Sequence, residues 1–206
     1  IQNEMGGTAK MIKVVMLGDS GVGKTALMRR YTKGTFDVSY RTLGLDYLTR
    51  DVKMGRNSVV TQVWDTSGDE KYSEYWPKYY QDADCCVLVF SVADANSFIS
   101  LEKWKSLFLA KCSPRVPERF PFVLVGNKAD IQKCRQIPPE WSSLGCISWV
   151  DDDENYFCIE TSAKFDNNVD ECFTTIVERA IKYRHMVLSL GADHNATRSS
   201  RFYYEI

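Results

Sequence analysis

The sequence predicts an α/β sandwich, a mostly parallel sheet with helices on both faces. Three observations predict it. Short apolar runs of strand length alternate with longer segments of helical period. The runs are apolar at consecutive positions, as strands buried on both faces require. A glycine-rich loop joins the first run to the first helical segment, as in sheets that bind ligands at strand ends.

Met11–Leu17, Val59–Trp64, Cys85–Phe90, Phe122–Val125 and Tyr156–Ile159 read as strands. Helices are expected over Lys24–Lys33, Ser97–Lys111, Pro138–Leu144 and Val169–Leu190. The last places Val169, Cys172, Phe173, Ile176, Val177, Ala180 and Ile181 on one face. The stretch Thr49–Val60, with charged residues around Gly55 and Asn57, reads as a hairpin that adds one antiparallel edge strand to make a six-stranded sheet. Crossovers in such a sheet are right-handed, so a site is expected in the loops that follow strands. Residues 1–10 show no apolar periodicity and are expected to be a disordered segment or an expression remnant. Residues 11–190 form the domain, and the polar residues 191–206 form a tail that is mobile unless docked.

The chain has 206 residues, of which 44% are hydrophobic, enough to bury one core. Lysine plus arginine number 26 against 27 aspartates and glutamates, which argues against a broad footprint for nucleic acid or an anionic membrane. The seven cysteines are odd in number and lack CxxC spacing, so they read as small buried hydrophobes. With no secretory signal or membrane-length apolar stretch, the expected compartment is the reducing cytoplasm.

Gly18-Asp19-Ser20-Gly21-Val22-Gly23-Lys24-Thr25 matches GxxxxGK[ST] directly after the first strand and at the opening of the first helix. The glycines let consecutive amides of Ser20, Gly21, Val22, Gly23, Lys24, Thr25 and Ala26 turn inward around phosphate, where the helix dipole also favours an anion. Lys24 supplies a point charge to the β- and γ-phosphates, and the Thr25 hydroxyl suits Mg²⁺, a hard cation that takes oxygen ligands. An ATPase or nucleotide kinase could carry this loop, so base choice must come from elsewhere. Gly126-Asn127-Lys128-Ala129-Asp130 follows a buried strand and offers a carboxylate to the two N–H groups on one edge of guanine, a pair adenine lacks. Asn127 can bridge loops and the Lys128 stem can cover the base. Glu160-Thr161-Ser162-Ala163-Lys164 follows the last strand, and a backbone amide near Ala163 could donate to the guanine carbonyl.

In this order, with Trp64-Asp65-Thr66-Ser67-Gly68-Asp69-Glu70 between them, the motifs resemble those of the Ras-superfamily GTPases, whose fold is the P-loop three-layer sandwich; the likeness spans about residues 13–182. GDSGVGKT, the tryptophan before DTxG, and GNKxD resemble the Rab family. Ala83–Phe90 and Pro117–Phe122 look like its late-endosomal and vacuolar subfamily. The resemblance implies a guanine-nucleotide switch in vesicle and endosomal traffic, a GTPase cycling between GTP and GDP with Mg²⁺. It implies that Phe36 packs against guanine, Tyr40 lies over the phosphates, and Thr25, Thr42 and Asp65 serve Mg²⁺. Thr42 and the Gly68 amide would meet the γ-phosphate, and Ser162 and Lys164 would complete the base loop. It further implies an exchange factor, a GTPase-activating protein and effectors that read both switches and the triad Tyr47, Trp64 and Tyr79. Buried aromatics are an equal reading of that triad. A monomer is expected, in the cytoplasm or peripheral on endosomal membranes.

Several positions depart from the family. Asp69 stands where a glutamine orients the attacking water, which predicts slow hydrolysis and leaves open a hydrolysis-deficient GTP-binding module that recruits partners while loaded; Asp69 acting as a general base is the opposing reading. Arg41 alone separates Tyr40 from Thr42, where the family has two residues, so the loop reaches Thr42 with less slack. The span from Asp130 to Ser162 is long and carries Trp141, Trp149 and the acidic run Asp151–Glu154, read as a solvated loop or a partner contact. No cysteine follows Cys172, so membranes are reached through a partner or through a lipidated tail absent from this sequence.

Overall fold

The structure, a computed structural model, describes residues 10–37, 39, 42, 44–55, 57–67, 77–141 and 156–201. In chain order the elements are β1 (Lys10–Leu17), α1 (Lys24–Lys33), β2 (Leu45–Met54), β3 (Asn57–Thr66), α2 (Pro77–Tyr80), β4 (Cys85–Ser91), α3 (Ala95–Ile99), α4 (Leu101–Cys112), β5 (Phe122–Asn127), β6 (Tyr156–Glu160) and α5 (Val169–Arg201), with a 3₁₀ turn at Pro117–Arg119. Among the described residues the strands form one six-stranded sheet of order β2-β3-β1-β4-β5-β6. Only the edge pair β2 and β3 is antiparallel, with Tyr47 opposite Trp64; the other pairings are parallel.

The alternation of side chains along β1 sorts the core into two layers. Ile12, Val14 and Met16 face Leu27, Met28 and Tyr31 of α1 and Phe173, Ile176, Val177 and Ala180 of α5. Val15 and Leu17 belong to the opposite layer, with Leu101, Trp104 and Phe108 of α4 and the ring of Phe120. Every residue of β4 is buried, which is why its sequence is apolar from Cys85 to Phe90. The edge strand β2 alternates exposed and half-buried residues instead.

Four elements differ from the sequence reading. The hairpin reaches further in both directions, because Leu45–Thr49 and Thr61–Thr66 continue the ladder beyond the charged turn. The helix expected from Ser97 starts at Ala95, where the Asp94 carboxylate caps the amides of Asn96 and Ser97 at 3.0 and 3.4 Å, and it divides at Ser100. Pro138–Trp141 is a turn rather than a helix, since Pro139 pushes Pro138 out of the α region; the rest of that expected helix, 142–144, lies outside the described residues. Helix α5 runs past Leu190 to Arg201.

Helix α5 is clamped to the sheet at the end opposite the loops that follow the strands. Asp84, just before β4, accepts from the Lys13 amide at 2.8 Å and from Arg184 Nε at 2.8 Å, and Arg184 Nη2 pairs with its second oxygen. Arg184 also donates to the Met11 carbonyl at 2.5 Å. Burial raises the Asp84 carboxyl above the usual aspartate range, while Arg184 and the Lys13 amide pull it back. A raised folded value means the unfolded chain ionises first, so this group's contribution to stability falls as pH rises through the folded value. Removing the guanidinium extends that loss to higher pH. Urea unfolding of Arg184→Met should therefore show a cost of about 1–3 kcal/mol at neutral pH, the penalty of a buried group stripped of its partner, shrinking towards zero near pH 3 as Asp84 protonates.

Candidate functional site

The loops after β1, β5 and β6 gather with the end of β3 at the carboxyl edge of the sheet, where the order of parallel strands turns about β1. The loop after β1 carries Ser20 and Gly21 on the surface and Val22 in the core. Gly23 has φ +102°, and a Cβ there would lie 2.3 Å from the Asn127 side-chain nitrogen. Only glycine fits both the backbone and the space. Lys24 is 5% exposed, and its ammonium donates to the carbonyls of Gly18 and Asp19 at 2.7 and 2.9 Å. Burial lowers it to about 8, with Asp65 and Asp19 opposing the shift. It is thus held as a cation within the loop by main-chain oxygens. Asp19 itself accepts from the Trp104 indole at 2.7 Å, which ties the loop to α4.

Asn127, at the end of β5, is the bridge between loops. It is 1% exposed; its nitrogen donates to the Val22 carbonyl at 2.9 Å, and its oxygen accepts from the Thr161 hydroxyl and the Ala163 amide, each at 3.3 Å. The Asp130 carboxylate accepts from the fully buried Ser162 hydroxyl at 2.7 Å. Lys128 takes a left-handed backbone, φ +64°, between them. Arg30, a residue the sequence reading did not single out, holds the third loop from α1, donating to the carbonyls of Ala163 and Lys164 at 2.8 and 3.1 Å. Its position in the last turn of α1 was the only signal available. Lys164 lies exposed over the Phe165 ring, while Ala26 and Phe36 are half-buried against the α1 and α5 layer.

Oxygen atoms of three further residues converge beside Lys24. The Thr25 hydroxyl lies 2.5 Å from both the Thr42 hydroxyl and Asp65 Oδ2, and Thr42 donates to the same carboxylate oxygen. The single-residue spacing at Arg41 therefore still lets Thr42 reach Asp65. The carboxylate is fully buried, and its other oxygen, Oδ1, has no hydrogen-bond partner among the described residues. Burial raises its carboxyl above the usual range, with Thr25, Thr42 and Lys24 acting in the other direction. Two hydroxyls and a carboxylate with an unused buried oxygen fit a hard divalent cation. Among the described residues no group of three His, Cys, Asp or Glu side chains could hold a metal, so the rest of such an ion's shell would come from phosphate and water.

Tyr47 stacks on Trp64 at 4.8 Å between ring centres, and Trp64 meets Tyr79 at 5.8 Å. Tyr47 is 49% exposed, while Trp64 is half-buried against the core, so the triad opens to the surface at Tyr47. Tyr40, Gly68 and Asp69 lie outside the described residues, as do Arg41, Trp149 and the run Asp151–Glu154.

The sequence pattern of the Ras family matches residues 13–182. The chain is 42% identical to the Ypt/Rab-type GTPase avaA of Emericella nidulans over 172 residues, which are 83% of this chain and 82% of the relative. It is 43% identical to the Ypt/Rab-type GTPase Rab7 of Gibberella zeae over the same shares. It is 40% identical to the Ras-related protein RABG3a of Arabidopsis thaliana over 85% of this chain and 84% of that one.

Gly23 supplies a direct check on the loop geometry. Gly23→Ala is expected to lower unfolding free energy in urea by at least about 1–2 kcal/mol, the cost of a left-handed backbone for a residue with Cβ, with the contact to Asn127 adding to it. An alanine variant as stable as the unmodified chain would contradict the arrangement.

Proposed function

This chain belongs to the Ras family of GTPases, and on that premise we propose how its loops work as a guanine-nucleotide switch. It is a GTP-dependent switch of vesicle traffic that binds GTP and GDP with Mg²⁺ and acts through effectors, exchange factors and GTPase-activating proteins. The observation that carries the mechanism is the bridge at Asn127. One buried side chain holds the phosphate loop at Val22 and the base loop at Ala163, which fixes the spacing between the two ends of a single nucleotide.

Within residues 11–190, Lys24 and the amides from Ser20 to Ala26 take the phosphates. Lys24 is largely protonated at neutral pH, since its lowered value of about 8 still lies above it. Asp130, oriented by Ser162, accepts from the two guanine N–H groups, the Ala163 amide donates to the guanine carbonyl, and Phe36 and the Lys128 stem cover the base. Thr25, Thr42 and Asp65 are the residues that would hold Mg²⁺, which supplies positive charge to the phosphate oxygens.

Switching follows from where Thr42 sits. Its hydroxyl is tied to Thr25 and Asp65, and the Ser67 amide donates to the Gly44 carbonyl at 2.8 Å, so the segment before β2 and the segment after β3 are joined at their roots. With Thr42 and the Gly68 amide meeting the γ-phosphate, its loss releases both segments at once. The exposed Tyr47, stacked on the half-buried Trp64 and followed by Tyr79, is the effector-reading surface. Among the described residues no helix is long and apolar enough to cross a membrane. The likeness to Rab7-type GTPases supports a peripheral place on endosomal membranes, reached through a lipidated tail or a partner.

Asp69 sets the pace. An ionised carboxylate cannot donate a hydrogen bond to the γ-phosphate, and it brings negative charge to a centre where negative charge develops. Hydrolysis is therefore slow, and the protein stays loaded long enough to recruit partners without turnover. Single-turnover hydrolysis of GTP-loaded protein with Mg²⁺ tests this. The unmodified chain is expected below the order of 10⁻⁴ s⁻¹ that Ras shows unaided, with Asp69→Gln faster by about tenfold or more. An unmodified chain as fast as its glutamine variant would make Asp69 a competent catalytic group and the protein an ordinary cycling switch.

A further inference from the structure

Trp141 stands in the long span between Asp130 and Ser162, and it is only 2% exposed. Its ring meets Phe90 of β4 edge-on at 4.9 Å and Phe98 of α3 at 5.9 Å. Its indole N–H donates to Glu160 Oε1 at 3.1 Å. The Arg135 guanidinium pairs with that same oxygen, its side chain 10% exposed against 23% for Glu160. Arg135 Nε donates to the Ile137 carbonyl at 2.6 Å, and the amides of Gln136 and Ile137 donate to the Val92 carbonyl at 2.9 and 3.0 Å. The cluster is therefore anchored to the chain leaving β4, not merely to itself.

Glu160 is the residue from which the base loop departs. A Cβ on Gly126, its partner across β5 and β6, would lie 2.9 Å from Phe90 Cζ and 3.5 Å from Glu160 Cγ, so the two strands close tightly there. One residue on, the Thr161 amide donates to the Gly126 carbonyl at 2.9 Å, and the Ala129 amide donates to the Thr161 carbonyl at 3.0 Å. On the far side the Asn168 side chain donates to the Glu160 carbonyl at 2.9 Å. Fixing Glu160 thus fixes the separation between the Asn127–Asp130 loop and the Thr161–Ala163 loop.

We propose that Arg135, Trp141 and Glu160 form a brace that sets the spacing of the Asp130 and Ala163 loops, which makes them positioning residues for retention of guanine and for its discrimination from hypoxanthine. None of the three touches the base in this proposal, which rests on the assignment of Asp130 as the guanine acceptor. Hypoxanthine lacks the exocyclic amino group and so offers Asp130 one N–H where guanine offers two. The preference for GDP over IDP is therefore a gauge of how well Asp130 is placed, and a change in general stability alone would not move it.

The test compares dissociation of fluorescently labelled GDP and IDP, with Mg²⁺, from the unmodified chain, Trp141→Phe and Glu160→Gln, with melting temperatures measured alongside. Phenylalanine keeps an aromatic ring beside Phe90 and Phe98 while removing the indole N–H and part of the ring bulk, and the melting temperature reads the packing loss separately, so that variant remains informative if Glu160→Gln does not fold. The expected result is GDP release faster by about five- to tenfold in the variants, the factor of one lost hydrogen bond, with IDP release changed less and the GDP-to-IDP ratio shrunk. Variants that melt lower yet keep the unmodified ratio would overturn the brace and leave the base assignment standing. An unmodified chain with no preference for GDP over IDP would overturn the base assignment and the brace with it.

Discussion

A buried carboxamide has to spend its donors and its acceptor inside the protein, and Asn127, 1% exposed, spends them on two separate loops. Leaving such a group unpaired costs about 1–3 kcal/mol, so the loops are held to it rather than the reverse. The constraint spreads outward from there. Val22 must present its carbonyl, which needs the chain to turn at Gly23, and Gly23 must lack a side chain because the Asn127 nitrogen occupies that space. β5 must deliver Asn127 at its last residue, which its pairing with β4 and β6 fixes, Ser91 standing opposite Asn127 and Glu160 opposite Gly126. A central parallel sheet is what places these loop ends side by side.

Charge obeys a second constraint at the same place. Lys24 and Asp65 are both buried, and burial pushes each towards its neutral form. Main-chain carbonyls on one side and threonine hydroxyls on the other offset that push without cancelling it, and Asp65 keeps one oxygen unpaired among the described residues. A pair of opposite buried charges with spare hydrogen-bonding capacity is completed by a ligand that carries both signs, a polyanionic phosphate chain with its cation. On the proposed reading, nucleotide with its cation completes this arrangement.

What the sequence disclosed follows contact distance along the chain. The placement of the Gly18–Thr25 loop, of the Asn127–Asp130 loop and of the central strands was legible because each is a contiguous run with a local pattern: glycines before Lys24, four ordered residues at Asn127–Asp130, and apolar runs buried on two faces. The pleat of β2 was only partly legible, since a half-exposed edge strand carries a weaker pattern than a buried one. Arg30, Trp104 and Arg184 were silent because each meets its partner more than eighty residues away, at Ala163, Asp19 and Asp84. Trp141 was read as part of a solvated or partner-facing loop, because nothing local reveals that a tryptophan beside two prolines folds back between Phe90 and Phe98. Thr42 was the reverse case: counting residues suggested a strained approach, and the hydroxyl nevertheless reaches Asp65.

Guanine selectivity is the property on which the mechanism depends, since the phosphate loop alone would serve any nucleoside triphosphate. It is measured most directly by displacement of a labelled guanine nucleotide from the Mg²⁺-containing protein with unlabelled GDP and, separately, ADP. A base site built on the Asp130 carboxylate predicts that ADP needs a concentration higher by about 10⁴-fold, the discrimination reached when a buried hydrogen-bonding group is left unmatched. Equal displacement by the two nucleotides would contradict it.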